Sequence, residues 1–464
     1  MLSAVPLIQA GALVLAWILF TLWCFRKVLM RERASAQQSS ATLLVAYASE
    51  GGAAESIAQR LTESLHQQGR EAQLLTLNQV TSARLIKAKT LLVVTSTYGA
   101  GEAPDNGRFF LPELTSNSPE LSNLSYSILG LGDTEYEHFC GFALALNAAL
   151  EKCGATTLAP LVEVDKLHPV AIDLWLDQLI EHGLLTRRPV LDSQTQRIHS
   201  ARLIGRRHLN PGSPGAPVFE VNFAPHDAFE WRAGDIAQLH LDGQMREYSI
   251  ASTKSEGVLK FLVREQTSAT GELGLGSGWL CKHAELQSES QFSVRSNPSF
   301  HCPDHRPDHS SDDCPDAAQK LILIGNGSGL AGLRAHLKER ESNKQHDNWL
   351  IYGERSPHTD RHWDETLSDW LEIGHLTYLD RSFSRAGDTD LSSVVGNAYP
   401  GYVQNVVDYQ AERLAQWLSE GAIIMVCGSR DGMASDLDQR LQTLLGAEAV
   451  AQLSAEGRYR RDVY

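Results

Sequence analysis

The sequence is short of cysteine, of positive charge and of repetition. Seven cysteines are scattered over 464 residues, at Cys24, Cys140, Cys153, Cys281, Cys302, Cys314 and Cys427. Their odd number and irregular spacing exclude a disulfide framework and point to a reducing compartment. Lys and Arg total 41 against 56 Asp and Glu, a net charge of −15. That excludes a general nucleic-acid binder, which needs a basic face, and fits a partner with a basic docking surface. No internal repeat or low-complexity tract is present, so a solenoid or a disordered chain is excluded. What remains is globular, 42% apolar and 21% charged, and long enough for two to four domains.

Charge is also missing from one end. Residues 1–25 carry none, and Leu7 to Phe25 is apolar apart from Gln9 and Thr21. About 20 such residues span a bilayer core as a helix. Arg26, Lys27, Arg31 and Arg33 follow, and no Lys or Arg precedes. Residues 1–33 are therefore expected to be a transmembrane anchor. The positive-inside rule places the rest of the chain in the cytoplasm, as a single-pass protein of the inner, cytoplasmic membrane. A cleaved signal peptide would carry positive charge ahead of the apolar run and a small-residue cleavage site behind it, and both are missing.

Residues 33–41 read as a polar tether. Over 42–183, strand-like runs (Thr42–Ala48, Thr90–Ser96, Tyr126–Gly132) alternate with amphipathic stretches (Ala54–Gln68, Phe142–Cys153), which predicts a doubly wound parallel sheet. Over 196–300 the segments become short and β-like (Val218–Phe223, Asp235–Leu241, Tyr248–Ser252, Val258–Arg264), which predicts an antiparallel β-barrel. Over 317–464 the α/β rhythm returns, with strands at Leu321–Ile324, Trp349–Tyr352, Leu376–Leu379 and Ile423–Cys427. The expected fold class is thus α/β plus β-barrel behind an N-terminal transmembrane helix.

Ligands of doubly wound sheets bind at the carboxyl ends of the strands. The loop Ser49-Glu50-Gly51-Gly52-Ala53 joins a strand to a helix N-terminus, where backbone N–H groups and the helix dipole attract an anion and glycines admit it closely. Thr97-Tyr98-Gly99 and Gly132-Asp133-Thr134-Glu135-Tyr136 follow the next two strands, and their tyrosines are placed to sandwich a flat ring. Mid-chain, Arg246-Glu247-Tyr248-Ser249 fits a strand with Arg246 and Tyr248 on one face and Ser249 on the other. Arg pairs with a diphosphate, Tyr stacks on a ring, and Ser hydrogen-bonds a reactive nitrogen. Gly325-Asn326-Gly327-Ser328-Gly329 follows a strand and opens a helix, as a turn that cradles a dinucleotide diphosphate does. The stretch Cys302, His305, His309, Cys314 offers zinc-ligand types, but its Pro/Asp/Ser-rich setting reads as a linker, and no metal is expected.

These segments carry a family resemblance. Thr97–Asn106 and Leu129–Cys140 resemble the second and third FMN loops of flavodoxin-type domains. The resemblance implies that Tyr98 and Tyr136 flank the isoalloxazine ring, with Asp133 and Phe139 near it. The first loop departs from that pattern: Gly51 and Ala53 stand where threonines are usual, and Ser49 keeps the hydroxyl. Gly274-Leu275-Gly276-Ser277-Gly278-Trp279-Leu280 and Trp231–Asp235 resemble the FAD motifs of the ferredoxin–NADP reductase family, with Gly274, Gly276 and Ser277 at the diphosphate. Ile351–Asp360, Ser382–Arg385, Tyr402–Gln404, Val426–Leu437 and Gly457–Tyr464 resemble its nicotinamide half. That implies Ser384, Arg385, Tyr402 and Gln404 at the 2′-phosphate of NADPH, although Pro400 replaces the usual lysine. It implies Ser249, Cys427 and Asp462 at hydride transfer, with Tyr464 over the flavin face.

Beyond residue 33 nearly all of the chain resembles the diflavin reductases, the family of cytochrome P450 reductase and the sulfite reductase flavoprotein subunit. It lacks their large helical insertion, since about sixty residues separate 183 from Arg246. The resemblance implies electron flow from NADPH to FAD to FMN to a one-electron acceptor, either a redox protein such as a haem protein, or a ferric complex, at or near the membrane. The alternatives are a sulfite reductase flavoprotein component, which the expected anchor argues against, and a low-activity electron carrier or assembly protein.

Overall fold

The computed structural model describes residues 42–49, 51–97, 101–190, 197–227, 230–268, 270–302, 319–387 and 391–464. The chain divides into two compact units, residues 1–191 and 192–464.

In the first unit the strands β1 (Leu43–Ala48), β2 (Ala72–Thr76), β3 (Thr90–Ser96), β4 (Ser125–Gly132), β5 (Thr156–Thr157) and β6 (Val162–Asp165) form one parallel sheet. The order is β2-β1-β3-β4-β5, with β6 on the second half of β4. Its central strands are nearly continuous apolar runs because both faces are covered. Alternation divides β1 cleanly. Leu44, Ala46 and Ala48 enter one core with Phe110, Phe142 and Leu146. Leu43, Val45 and Tyr47 enter the other with Leu61, Leu65 and Trp175. Helices Ala53–Gln67 and Pro169–Glu181 cover the second face, and Phe110–Asn117 and Gly141–Lys152 the first.

The second unit holds two sheets. β7 (His199–His208), β8 (Val218–Pro225), β9 (Ile236–Leu241), β10 (Gln244–Ser249), β11 (Leu259–Arg264) and β12 (Glu289–Arg295) are antiparallel, in the order β10-β9-β12-β7-β8-β11. The antiparallel sheet is as expected, and its ladder order runs as an open path. Its end strands share no ladder and approach through one backbone bond, Ala251 N–H to the Lys260 carbonyl (2.8 Å). Asp242 and Gly243, at φ 48° and 75°, form the two-residue turn joining β9 to β10. β7 to β10 occupy the stretch in which a helical insertion would fall.

The other sheet is parallel: β13 (Leu321–Asn326), β14 (Asn348–Glu354), β15 (Tyr378–Phe383), β16 (Asn397–Pro400), β17 (Ile423–Gly428) and β18 (Tyr459–Val463), in the order β16-β15-β14-β13-β17-β18. The winding reverses between β13 and β17, and this is where such sheets bind ligands.

The expected single-pass membrane location is corrected. Among the described residues no helix is long and apolar enough to cross a membrane. The longest, Ala53–Gln67, has 15 residues, about 22 Å against the ~30 Å of a bilayer core. Residues 1–33 lie outside the described residues.

Candidate functional site

In the first unit the carboxyl ends of β1, β3 and β4 gather the predicted loops. Gly52, at φ 76°, precedes the helix that begins at Ala53. Ser49 N–H is pinned by the Asn106 side-chain oxygen at 2.9 Å. The hydroxyls of Ser49 and Thr97 are buried without a hydrogen-bond partner. Two unsatisfied hydroxyls beside a helix N-terminus fit a phosphate, which would supply their acceptors. Glu50, Tyr98 and Gly99 lie outside the described residues. Tyr136 is 61% exposed. Asp133 accepts Glu135 N–H at 2.9 Å, and Lys166 lies 3.6 Å from its carboxylate. A Cβ on Gly132 would come within 2.9 Å of both the Phe139 ring and Cys140 Sγ, so the glycine lets Phe139 close on the loop. Gly51 has open space around it.

In the second unit the hairpin places the Arg246–Ser249 side chains as alternation predicts. On one face, a Cβ on Gly276 would stand 2.4 Å from Tyr248 Oη and about 3 Å from the Arg246 stem. Glycine there allows both side chains to lie on the Gly274–Ser277 turn. Ser277 Oγ accepts Gln266 N–H at 3.0 Å, which fixes the turn against β11. On the other face, Ser249 Oγ donates to Asp462 Oδ2 at 3.1 Å.

Asp462 is the meeting point. β17 and β18 pair Cys427 with Asp462 in register, and Cys427 Sγ lies 3.7 Å from Asp462 Oδ2. Asn297 Nδ2 reaches Asp462 Oδ1 at 3.4 Å. Burial raises the Asp462 carboxyl to about 6. The Arg295 charge and the Ser249 and Cys427 hydrogen bonds oppose that rise, and the Glu247 charge adds to it. Burial and the neighbouring Asp462 push the Cys427 thiol well above its usual range.

Glycines pack the Gly325–Gly329 turn onto this cluster. A Cβ would lie 2.5 Å from the Cys427 carbonyl oxygen at Gly325 and 2.1 Å from it at Gly329, and one on Gly332 would lie 3.2 Å from Cys427 Sγ. Gly327 has φ 54°. The Tyr464 and Ser328 hydroxyls are 3.1 Å apart. Tyr464 N–H donates to the Gly428 carbonyl, and its own carbonyl accepts Arg430 N–H, so the half-exposed ring is tethered by backbone on both sides.

The four residues assigned to a 2′-phosphate share the carboxyl edge of the parallel sheet. Ser384 N–H and Arg385 N–H donate to the Glu354 and Arg355 carbonyls. Tyr402, 58% exposed, precedes helix Val403–Tyr409, and Gln404 Nε2 donates to Asp436 at 3.2 Å. Arg355 and Arg385 are both exposed there, a charge match for a phosphate dianion.

Arg264, Tyr352, Glu354 and Asn297 were not singled out as site residues in the sequence. They stand at strand ends or in a turn; Tyr352 and Glu354 fall inside the family-like segment Ile351–Asp360, which marks the stretch but not these two side chains. Glu354 is fully buried, with Arg264 Nη2 at 3.2 Å, Tyr352 Oη at 2.8 Å and His362 Nε2 at 3.1 Å. Burial would raise its carboxyl, but His362, Arg264 and Tyr352 hold it down to about 2. Glu354, Asp360 and His362 cluster as metal ligands do. Asp360, however, accepts Asn210, Ser213 and Ser356 donors, and Glu354 is paired with a guanidinium, so the cluster reads as an ion-pair network. The stretch from Cys302 to Cys314 lies outside the described residues beyond Cys302.

All five described cysteines are free thiols. Burial pushes Cys140 to about 11 and Cys281 to about 12. These two and Cys427 are expected to stay unlabelled by a thiol reagent at pH 8 until the protein is unfolded in guanidinium, because the thiolate is the nucleophile. Rapid labelling of the native C140S/C281S/C427S variant's parent at these positions, read by mass spectrometry, would contradict the burial described.

Residues 45–173 match the family model described as Flavodoxin. Over nearly its full length the chain is similar to proteins named sulfite reductase [NADPH] flavoprotein alpha-component. The one from Vibrio cholerae is 26% identical, over 93% of this chain and 89% of the relative. A Shewanella relative is 24% identical, over 92% and 90%. One from Thiocapsa roseopersicina is 25% identical, over 88% and 84%. The Vibrio alignment runs over 570 positions, 106 more than this chain's 464 residues, so the relative carries at least that much without a counterpart here.

Proposed function

We propose that this chain, a member of the diflavin reductase family, takes electrons from NADPH and delivers them singly to a haem-protein or ferric acceptor. The observation that carries the reading is the convergence of Ser249, Cys427 and Asp462, from β10, β17 and β18, beside the Gly325–Gly329 turn. FAD and FMN, when bound, supply the conversion of a two-electron donor into one-electron steps. The protein supplies the rest. Arg246, Gly276 and Ser277 form a diphosphate seat, and Tyr248 a stacking face. Ser249 and Asp462 form a hydrogen-bonded pair that can hold or pass a proton at Asp462 Oδ2. Gly325, Gly327, Ser328 and Gly329 receive the nucleotide, while Ser384, Arg385, Tyr402 and Gln404 hold its 2′-phosphate, and Tyr464 covers the ring face. In the first unit, Ser49, Thr97, Asp133, Tyr136 and Phe139 hold FMN.

Purified protein is expected to contain FAD and FMN in equal amounts and to reduce ferricyanide and cytochrome c with NADPH. A single flavin would sink the two-flavin path, and the absence of turnover would favour a carrier or assembly role. Ser49→Ala is expected to weaken FMN retention about tenfold with FAD unchanged, since it removes one hydrogen bond to a charged group. Flavin release on gel filtration measures this.

A second reading, a sulfite reductase flavoprotein component, is favoured by the names of the relatives. The membrane argument against it has lapsed with the correction of the expected location. NADPH-dependent sulfite reduction on mixing with a sulfite reductase haemoprotein would establish it.

A further inference from the structure

We propose that Glu354 is a positioning residue, which holds Arg264 and the Gly327 turn in one geometry for the diphosphate of the incoming dinucleotide. This rests on the reading of that turn as the NADPH site.

The geometry begins with a glycine. Gly327 stands at φ 54°, which favours glycine, and a Cβ there would lie 2.9 Å from Arg264 Nη2, so the guanidinium rests against the mouth of the turn. Arg264 ends β11 of the antiparallel sheet, whereas Gly327 follows β13 of the parallel one. One side chain ties them together. Glu354 ends β14, the neighbour of β13, and its side chain is 2% exposed. Its two carboxylate oxygens lie 3.2 and 3.4 Å from Arg264 Nη2. Tyr352, two residues earlier on the same face, places its hydroxyl 2.8 Å from Glu354 Oε1 and 3.0 Å from the Gly327 carbonyl. A tyrosine hydroxyl has one proton for these two acceptors. The hydroxyl lies within hydrogen-bond distance of both, so Tyr352 links the Glu354 carboxylate to the Gly327 turn.

Arg264 is only 19% exposed, so its fork would not keep this direction without a counter-charge. Glu354 therefore sets where a positive charge stands at the diphosphate, without itself touching the nucleotide. It acts at the diphosphate and not at the 2′-phosphate, which is assigned to Ser384, Arg385, Tyr402 and Gln404.

The test uses the whole protein with both flavins bound. In Glu354→Gln, KM for NADPH is expected to rise about tenfold, the effect of one charge-assisted hydrogen bond, while kcat stays within about twofold. Inhibition by 2′,5′-ADP, which keeps the 2′-phosphate but only the adenosine-side phosphate of the diphosphate, is expected to change much less than KM for NADPH does. Glu354→Asp should recover part of the loss, and Tyr352→Phe should raise KM less than Glu354→Gln does. An unchanged or lowered KM in Glu354→Gln overturns the proposal. So does a loss of 2′,5′-ADP inhibition in step with NADPH, which marks general loosening of the sheet. If Glu354→Gln fails to retain FAD, unchanged KM values in Glu354→Asp and Tyr352→Phe overturn it instead. Wild-type protein that neither oxidises NADPH nor responds to 2′,5′-ADP fails differently: it removes the reading of the turn, and this proposal with it.

Discussion

Gly329→Ala is expected to raise KM for NADPH about a hundredfold and to lower unfolding stability by about 2–3 kcal/mol. The added methyl would sit 2.1 Å from the Cys427 carbonyl oxygen, 2.4 Å from its carbon and 2.7 Å from Gly428 Cα. All three atoms are backbone, so no rotamer change relieves the clash, and β13 must move away from β17. That gap is the point where the sheet reverses its winding, and the nucleotide turn is built on it. Gly51→Ala is the matched control. Nothing lies within 4 Å of a Cβ there, and the residue is not at positive φ. Its stability should change by less than about 0.5 kcal/mol, with KM for NADPH unaltered. Steady-state kinetics and urea unfolding of the two variants read both effects. Equal behaviour would show that close packing at the switch point does not control the site.

Sequence legibility followed the physics of burial. β1, β3, β4, β13 and β17 are two-sided parallel strands, so their apolar runs stand out, and the observed ends differ from the expected ones by only a residue or two. β15 was displaced: the expected run stopped at Leu379, whereas the strand runs to Phe383. Its polar residues are buried, and other elements pair some of them, while Arg381 Nε and Nη2 and Ser382 Oγ have no partner. Asp380 accepts Trp349 Nε1 at 2.7 Å, and Arg381 pairs with Asp364. β18 could not be read as a strand, because Arg460, Arg461 and Asp462 look like a charged tail until pairing with β17 is known. Yet the chemistry of Asp462 was legible through family likeness, while Arg264 was not, and Glu354 was reached only as one position of the family-like segment Ile351–Asp360. Alternation announced an antiparallel sheet but carries no information on closure, which depends on whether the two end strands find each other. The apolar run of residues 1–33 and its flanking Arg26, Lys27, Arg31 and Arg33 set the expected membrane location, on sequence pattern alone.

Asp462→Asn is expected to lower kcat with NADPH about a hundredfold, the usual worth of a positioned proton-transfer group. In the wild type the carboxyl titrates near 6, raised from 3.8. Above that pH the carboxylate accepts the Ser249 hydroxyl proton at 3.1 Å and faces the Cys427 thiol at 3.7 Å. Below it the group is already protonated and can no longer take up a proton. Wild-type kcat should therefore fall as pH drops through about 6, and the asparagine variant should lose that inflection. The stability effect has the opposite sign. A raised folded-state value means that Asp462 contributes fully below about pH 4 and loses its contribution as pH rises through 6. Glu354 and Glu220, held near 2, contribute above about 4.5 and lose their contribution as pH falls towards 2. At pH 8, then, Asp462→Asn should be no less stable than wild type while being far less active. That combination separates a functional carboxylate from a structural one. Activity that survives the substitution, or an inflection near 6 that persists in it, would remove Asp462 from the proton path and leave Ser249 without its acceptor.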